Sequence, residues 1–412
     1  MKDNHSNVKT NPIIEQDKAA INSTLDTAEV LFETIDINHG LTVGQVVLNR
    51  PKSLNALTTS MCQQISNQLS AWETDDSIVA IVLRGAGERA LAAGGDIRQL
   101  YEARLQWDGE GIAPKEAIDF FDSEYRLDTQ MHGYLKPIIA WGSGIIMGGG
   151  MGILSSSSHR IVTETTRAAM PEVNIGLFPD ATGSWFLQRY PAQSGLFMGL
   201  TGADANANDA LLCNLADFRM NSQDFEKVIE CLTDADWSKV VDLKQKQYQS
   251  LKLHNIVTKA LNQCSMASIK NTDFKPSNIA KYLSSIQSLM NSGGLDKIDE
   301  ILMSDDELLK FCPELFKDPW FQSALTNYRY GCPVTKAITY EMYQRAGCLS
   351  LTEIMALETN VALHCIKYPD FSEGVRALLI DKDRNPKWSR NMAECLDVEG
   401  QAYIQEHFRD LE

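Results

Sequence analysis

Residues 136–184 read KPIIAWGSGIIMGGGMGILSSSSHRIVTETTRAAMPEVNIGLFPDATGS. No charged residue occurs from Pro137 to Ser158; of the carboxylates that then follow, Glu172 and Asp180 each stand in an apolar frame that contains a proline. Ile138 to Trp141 is an apolar run of strand length, Gly142 and Gly144 break it, and Gly148, Gly149 and Gly150 precede a small-residue segment that can open a helix. Glycines without a Cβ let a ligand close to the backbone. Free amides at a helix start, together with the helix dipole, suit a developing negative charge. Taken singly, a GGG run is explained equally well by a tight turn between packed elements. A membrane span fits poorly, because six glycines and a serine run do not make a lipid-facing helix.

Composition places this stretch in an ordinary globular setting. The 412 residues are 44% hydrophobic and 22% charged, enough for two or three domains' worth of core. A net charge of -16 repels nucleic acid and anionic membrane surfaces at long range, so neither is an expected partner. Two basic groups remain available for phosphate: Arg50, Lys52, Arg84, Arg89 and Arg98, and then Arg376, Lys382, Arg384, Lys387 and Arg390. Nine cysteines, an odd and widely spaced set without a CxxC pair, read as reduced thiols. The seven histidines show no metal spacing, so no metal is expected. Ser155 to Ser158 form no nucleophile elbow. The first residues lack the apolar core of a signal peptide and the arginines of a mitochondrial presequence, so residues 1–28 are expected to be a flexible leader and the location cytoplasmic.

Upstream of the central stretch, Leu41 to Asn49 reads as a strand and Arg50 to Ser53 as the turn that ends it. Leu57, Met61, Ile65, Leu69 and Trp72 make one face of a helix with Asn55 or Thr58 as its cap. Ile78 to Leu83 is an unbroken apolar strand, as expected where a sheet is covered on both faces. In ALAAGGDIRQL (90–100) two glycines sit just before a helix beginning near Asp96, so amides from Gly95 and Gly149 could jointly hold an oxyanion if folding brings the two turns together. A helix-entry turn capped by Asp96 would account for Gly94 and Gly95 equally well. Phe120 to Tyr125 (FFDSEY) is a mixed aromatic and acidic helix candidate; Glu124, taken alone, would face solvent. Downstream, the pattern turns helical from about Asp224. Ile279 to Met290 forms one stripe, and Ser350 to Glu353 is a capping box before Ile354, Leu357, Val361 and Cys365.

The segments LNRPKSLNAL (48–57), ALAAGGDIRQL, KPIIAWGSGIIMGGGMG and MPEVNIGLFPD, in this order and spacing, resemble the crotonase (enoyl-CoA hydratase/isomerase) superfamily. FSEGVRALLIDKDRNPKW (371–388) is similar to its 3-hydroxyisobutyryl-CoA hydrolase branch. The resemblance spans about residues 32 to 390. It implies an α/β fold, a crotonase-like spiral of repeated ββα units over residues 29–225, and a mainly helical C-terminal region over 226–412. It further implies an acyl-CoA substrate whose thioester carbonyl sits between the amides of Gly95 and Gly149, and no cofactor, since CoA is part of the substrate. Oligomers are common in the superfamily, and a homo-oligomer stays open, because the longer C-terminal part could cover that interface.

Hydratases of the superfamily carry a glutamate two residues after the third glycine, where this chain has Gly152. Their second glutamate matches Glu172. Hydration needs both carboxylates, so the loss of one argues against a hydratase. The hydrolase branch carries Glu172 and Asp180 in MPE and GLFPD, and Glu124 matches a substrate-contacting residue there. The expected reaction is therefore hydrolysis of a short β-hydroxyacyl-CoA, 3-hydroxyisobutyryl-CoA first, as in valine catabolism. Glu172 would be nucleophile or general base, and Asp180 and Glu124 would orient the hydroxyl and the water. Alternatives are an enoyl-CoA hydratase or isomerase and a noncatalytic CoA- or RNA-binding relative. Ala181-Thr182-Gly183-Ser184 is bulkier than the branch's glycine-rich turn, which leaves the acyl preference open.

Overall fold

In the computed structural model, which describes residues 28–240 and 246–410, the chain enters as an antiparallel pair. Val30–Ile37 (β1) lies against Leu41–Leu48 (β2), with Val30 opposite Leu48 and Ile37 opposite Leu41. β1 is absent from the sequence expectations: VLFETIDI mixes polar and apolar residues without a clean alternation. Every further strand pairing among the described residues is parallel. Ile78–Gly85 (β3), Ile138–Gly142 (β5), His159–Thr163 (β7) and Phe218–Met220 (β9) extend a six-stranded sheet of order β1-β2-β3-β5-β7-β9. Ala90–Ala92 (β4), Ile145–Met147 (β6) and Arg167–Ala169 (β8) form a second sheet of order β4-β6-β8. The alternation is the mark of a spiral. Each pass of the chain lays one strand in the large sheet and the next in the small one, and a helix leads to the following pass, as the ββα expectation requires.

From Ile78 to Leu83 β3 is apolar because both its faces are covered. Ile81 and Leu83 join the core that contains helix Thr59–Thr74 (α1), while Ala80 and Val82 meet Val228, Leu232, Trp237, Leu253, Val257 and Leu261 from helices on the other side. Each such aliphatic side chain, fully buried, contributes about 2 kcal/mol. Thr58 caps α1 by accepting from the Met61 amide at 3.1 Å, whereas Asn55 is no cap. Asn55 instead stands in a left-handed turn (φ 57°), where its side chain accepts from Arg50 N and donates to Ala86 O and Ala90 O, fastening the start of β4.

Among the described residues no strand follows Met220, and the chain from Phe225 onward is helical. The capping box at Ser350 and Glu353 opens helix Leu351–Lys367, and Pro369 takes the first position of the next helix. The expected leader lies outside the described residues except for Ala28. No helix among the described residues is long and apolar enough to cross a membrane.

Candidate active site

The three strands of the small sheet are only three residues each, yet they align the turns at their ends. Gly94 and Gly95 come just after β4, Gly148 and Gly149 just after β6, and Pro171 and Glu172 just after β8. All three turns therefore sit at the carboxyl ends of adjacent parallel strands, a common place for ligands in α/β folds. They touch. A Cβ on Gly94 would lie 3.4 Å from Met147 O and 3.8 Å from Gly149 N. Gly148 adopts φ 49° and ψ -125°, open only to glycine, and a Cβ there would stand 3.0 Å from Glu172 Oε1 and 3.3 Å from Gly94 Cα.

Gly149 is the first residue of helix Gly149–Ser156, so its amide lies outside that helix's own hydrogen bonds. The other turn is pinned by the segment before α1: Leu57 N donates to Gly94 O and Asp96 N to Leu57 O, both at 2.8 Å. Neither bond uses the Gly95 amide. Asp96 precedes helix Ile97–Gln106 (α2) but makes no side-chain cap; its carboxylate accepts from Arg50 Nη2 at 2.9 Å instead.

Helix Lys115–His132 (α3) brings further carboxyls to this point. Glu124 is buried rather than solvent-facing, because it shares the inward face of α3 with Phe121 and Tyr125. Its Oε1 has no hydrogen-bond partner and lies so near helix Gly149–Ser156 (α4) that a Cβ on Gly149 would be 1.9 Å away. One turn further along α3, Asp128 approaches Gly152, where a Cβ would be 2.6 Å from Oδ2. Two carboxyls at i and i+4 on α3 thus face two glycines at i and i+3 on α4. Tyr125 Oη donates to Asp180 Oδ2 at 2.6 Å, which draws Asp180 to the same centre.

Beyond Asp180 the backbone turns through two left-handed non-glycine residues, Ala181 (φ 48°) and Thr182 (φ 67°). Each costs about 1 kcal/mol or more. The conformation is held by Glu358 on helix Leu351–Lys367, whose carboxyl accepts from Thr182 N at 2.9 Å and Ser184 N at 2.8 Å. Glu358 and Asp128 are not among the site residues expected from the sequence. Asp128 repeats the spacing of Glu124 on one apolar face, and Glu358 falls on the stripe of Ile354, Val361 and Cys365; an acid on an apolar face is the signal that points to both. Glu358→Gln keeps the shape but turns an amide donor toward one of the two N–H groups. It is expected to lower stability by about 2 kcal/mol, read as a shifted midpoint in denaturant at unchanged slope.

Five carboxyls are thereby buried together: Glu124, Asp128, Glu172, Asp180 and Glu358. Burial is the first cause of a raised pKa in every one of them, and their mutual repulsion adds to it in all but Asp180. Asp180 rises least, to about 6, because the Tyr125 hydroxyl supports its anion. Glu358 is pushed up to about 8, burial outweighing its two amide bonds. Glu172 stands well above the ordinary glutamate range through burial and then the charge of Asp180; its Oε2 is unpartnered. Among the described residues no group of three or more His, Cys, Asp or Glu could hold a metal ion. Of the first basic group, Arg98 Nη2 donates to Leu379 O, which lies between Arg376 and Lys382 of the second. Arg376 is occupied by Glu373, Asp381 and Asp383.

The arrangement can stabilise an oxyanion between two backbone amides and bring a carboxylate to the carbon that bears it. The family described as enoyl-CoA hydratase/isomerase matches residues 43–408. The mitochondrial 3-hydroxyisobutyryl-CoA hydrolase of Danio rerio is 33% identical over 88% of this chain and 85% of its own. That of Bos taurus is 33% identical over 98% and 94%. Among solved structures, a carnitinyl-CoA dehydratase from Mycobacterium thermoresistibile superposes with a TM-score of 0.74 at 29% identity, covering 94% of this chain and 98% of that one. An enoyl-CoA hydratase from Rhodobacter sphaeroides gives 0.73 at 28%, covering 93% and 98%.

Proposed function

The chain belongs to the enoyl-CoA hydratase/isomerase family, and within it we propose that this protein hydrolyses 3-hydroxyisobutyryl-CoA to 3-hydroxyisobutyrate and CoA, a step of valine catabolism. The observation that supports the reading is the convergence of three strand-end turns, in which Gly94 lies against Gly148 and Gly149, Gly148 against Glu172, and Gly149 against Glu124. The relatives named above as hydrolases support it over nearly their whole length. The solved structures described as dehydratase and hydratase share the fold. Gly152 argues against their chemistry here, since no carboxyl hangs from α4 at that place.

In this reading the thioester carbonyl lies between the amides of Gly95 and Gly149, which stabilise the tetrahedral oxyanion; losing one such donor raises the barrier by about 3 to 4 kcal/mol. Glu172 acts at the carbonyl carbon. By direct attack a C–O bond forms, the C–S bond breaks, CoA leaves as thiolate, and water then opens the resulting anhydride. As a base, Glu172 takes the proton of the water that attacks instead. Single-turnover hydrolysis in oxygen-18 water separates the two, because only the anhydride route leaves label in Glu172. Asp180 and Glu124 orient the acyl hydroxyl and the water. Neither route moves electrons to or from an acceptor, so the reaction calls for no cofactor beyond the CoA of its substrate.

The reading is tested by thiol release from a panel of acyl-CoAs with and without a β-hydroxyl. Hydration of crotonyl-CoA, seen as loss of enoyl absorbance, would favour the hydratase alternative; binding without any thiol release would favour a noncatalytic one. A pH profile adds a second check. Glu172 works as the carboxylate and its pKa is raised, so protonation removes activity at a higher pH than for an ordinary glutamate. The ascending limb of kcat/KM is expected above about 4.5; a limb at or below that value would count against Glu172. For location we propose a reducing compartment, the cytoplasm being the one expected, on the strength of nine free cysteines. The relatives are named as mitochondrial, so fractionation of the native host decides between the two.

A further inference from the structure

Asp128 has no part in the hydrolysis described above, and its surroundings are unusual. It is 1% exposed, and neither of its carboxyl oxygens has a hydrogen-bond partner. Asp180 accepts from the Tyr125 hydroxyl and Glu358 from two backbone amides, and Glu124 and Glu172 each have one unpartnered oxygen; of the five acids Asp128 is the one in which both oxygens are unpartnered. Asp128 also occupies space that exists only because residue 152 has no side chain. A Cβ there would stand 2.6 Å from Asp128 Oδ2 and 3.0 Å from Ala181 O, so the carboxyl faces the turn that begins at Asp180.

We propose that Asp128 is a specificity-determining residue of the acyl pocket, an uncharged carboxylic acid that donates a hydrogen bond to the hydroxyl oxygen of the acyl chain while Asp180 accepts that hydroxyl's proton. This inference rests on the hydrolase reading above. A hydroxyl both gives and takes a hydrogen bond, so a pocket that selects it needs an acceptor and a donor. Asp180, supported as an anion by Tyr125, is the acceptor. Asp128 receives no donor that would favour its anion, and burial, with the neighbouring Glu358 and Asp180, raises its pKa and so favours the protonated form. It therefore has an O–H to give. An acyl chain without the hydroxyl leaves both acids unmatched in a dry site, and such mismatches are what polar pockets discriminate against.

The test compares kcat/KM for 3-hydroxyisobutyryl-CoA and isobutyryl-CoA, by thiol release, in the wild type, Asp128→Asn and Asp128→Leu, with thermal unfolding alongside. Leucine has no donor, and the preference for the hydroxylated substrate is expected to fall by at least about tenfold. Asparagine keeps an N–H donor without charge and is expected to hold the preference within about threefold of wild type. Should Asp128→Leu fail to fold, Asp128→Ala serves in its place. An unchanged preference in Leu or Ala, or an equal loss on both substrates, would overturn the proposal, as would an Asn variant that loses the preference as Leu does. A wild type that releases thiol from neither substrate would overturn the hydrolase reading itself and this inference with it.

Discussion

Replacing Glu172 by glutamine is expected to lower thiol release from 3-hydroxyisobutyryl-CoA by about 10⁴-fold, equivalent to about 5 kcal/mol of barrier. Glutamine has the size of glutamate and fits the same single turn after Pro171, but its amide oxygen neither attacks a thioester nor takes a proton from water. The two amides at Gly95 and Gly149 would remain, so a residual rate above the uncatalysed one should survive. The loss belongs in kcat, with CoA affinity kept, because the carboxylate acts on the reacting carbon rather than on the carrier. Fold should not suffer. Removing one acid from a group of buried, mutually repelling acids leaves stability unchanged or raises it. A Glu172→Gln protein within about tenfold of wild type in kcat, cleanly folded, would sink the assignment whichever route Glu172 serves.

Gly149→Ala is the second large effect. A single methyl there would lie 1.9 Å from Glu124 Oε1 and 3.2 Å from Leu57 Cδ1. Glu124 is fully enclosed, so its carboxyl must be driven from the position at which it meets α4, and the Gly149 amide is tilted as α4 gives way. One oxyanion donor and one orienting carboxyl are disturbed together, for a loss of about 10²- to 10³-fold in kcat/KM. Overpacking should cost about 1 to 3 kcal/mol of stability, measurable by denaturant unfolding. A variant that unfolds as expected yet keeps activity within a few-fold would mean that the Gly149 turn holds no oxyanion.

Much of the site is legible in the amino-acid sequence. The GGG run, MPE and GLFPD announce amides and two carboxylates through their joint order and spacing, since each taken singly fits an ordinary turn or helix start. Their meeting is not legible. β4, β6 and β8 have three residues each, too few for any periodicity to show, and their pairing is fixed by the large sheet beside them. Asn55 and Thr58 both suit a helix cap; only the position of β4 decides that Asn55 fastens a strand start instead. Asp128 and Glu358 each interrupt a mainly apolar helix face, a signal that marks them as buried acids but does not say that they meet the same site.

The bonds from Thr182 and Ser184 end on a residue 176 and 174 positions later in the chain. A ribosome adding about 5 to 20 residues per second needs roughly 10 to 35 s to cover that distance. During that interval the nascent spiral can lay down both sheets, and the glycine turns can meet. The left-handed turn behind Asp180 then has its local bonds, Gly183 N to Asp180 O and the Thr182 hydroxyl with that of Ser155, but lacks the carboxyl that receives Thr182 N and Ser184 N until the late helix emerges and docks. On the proposed hydrolase reading, completion of the site is thus deferred until that helix is made, and a chain cut short before residue 358 would carry the Gly95 and Gly149 turns and Glu172 without the support behind Asp180.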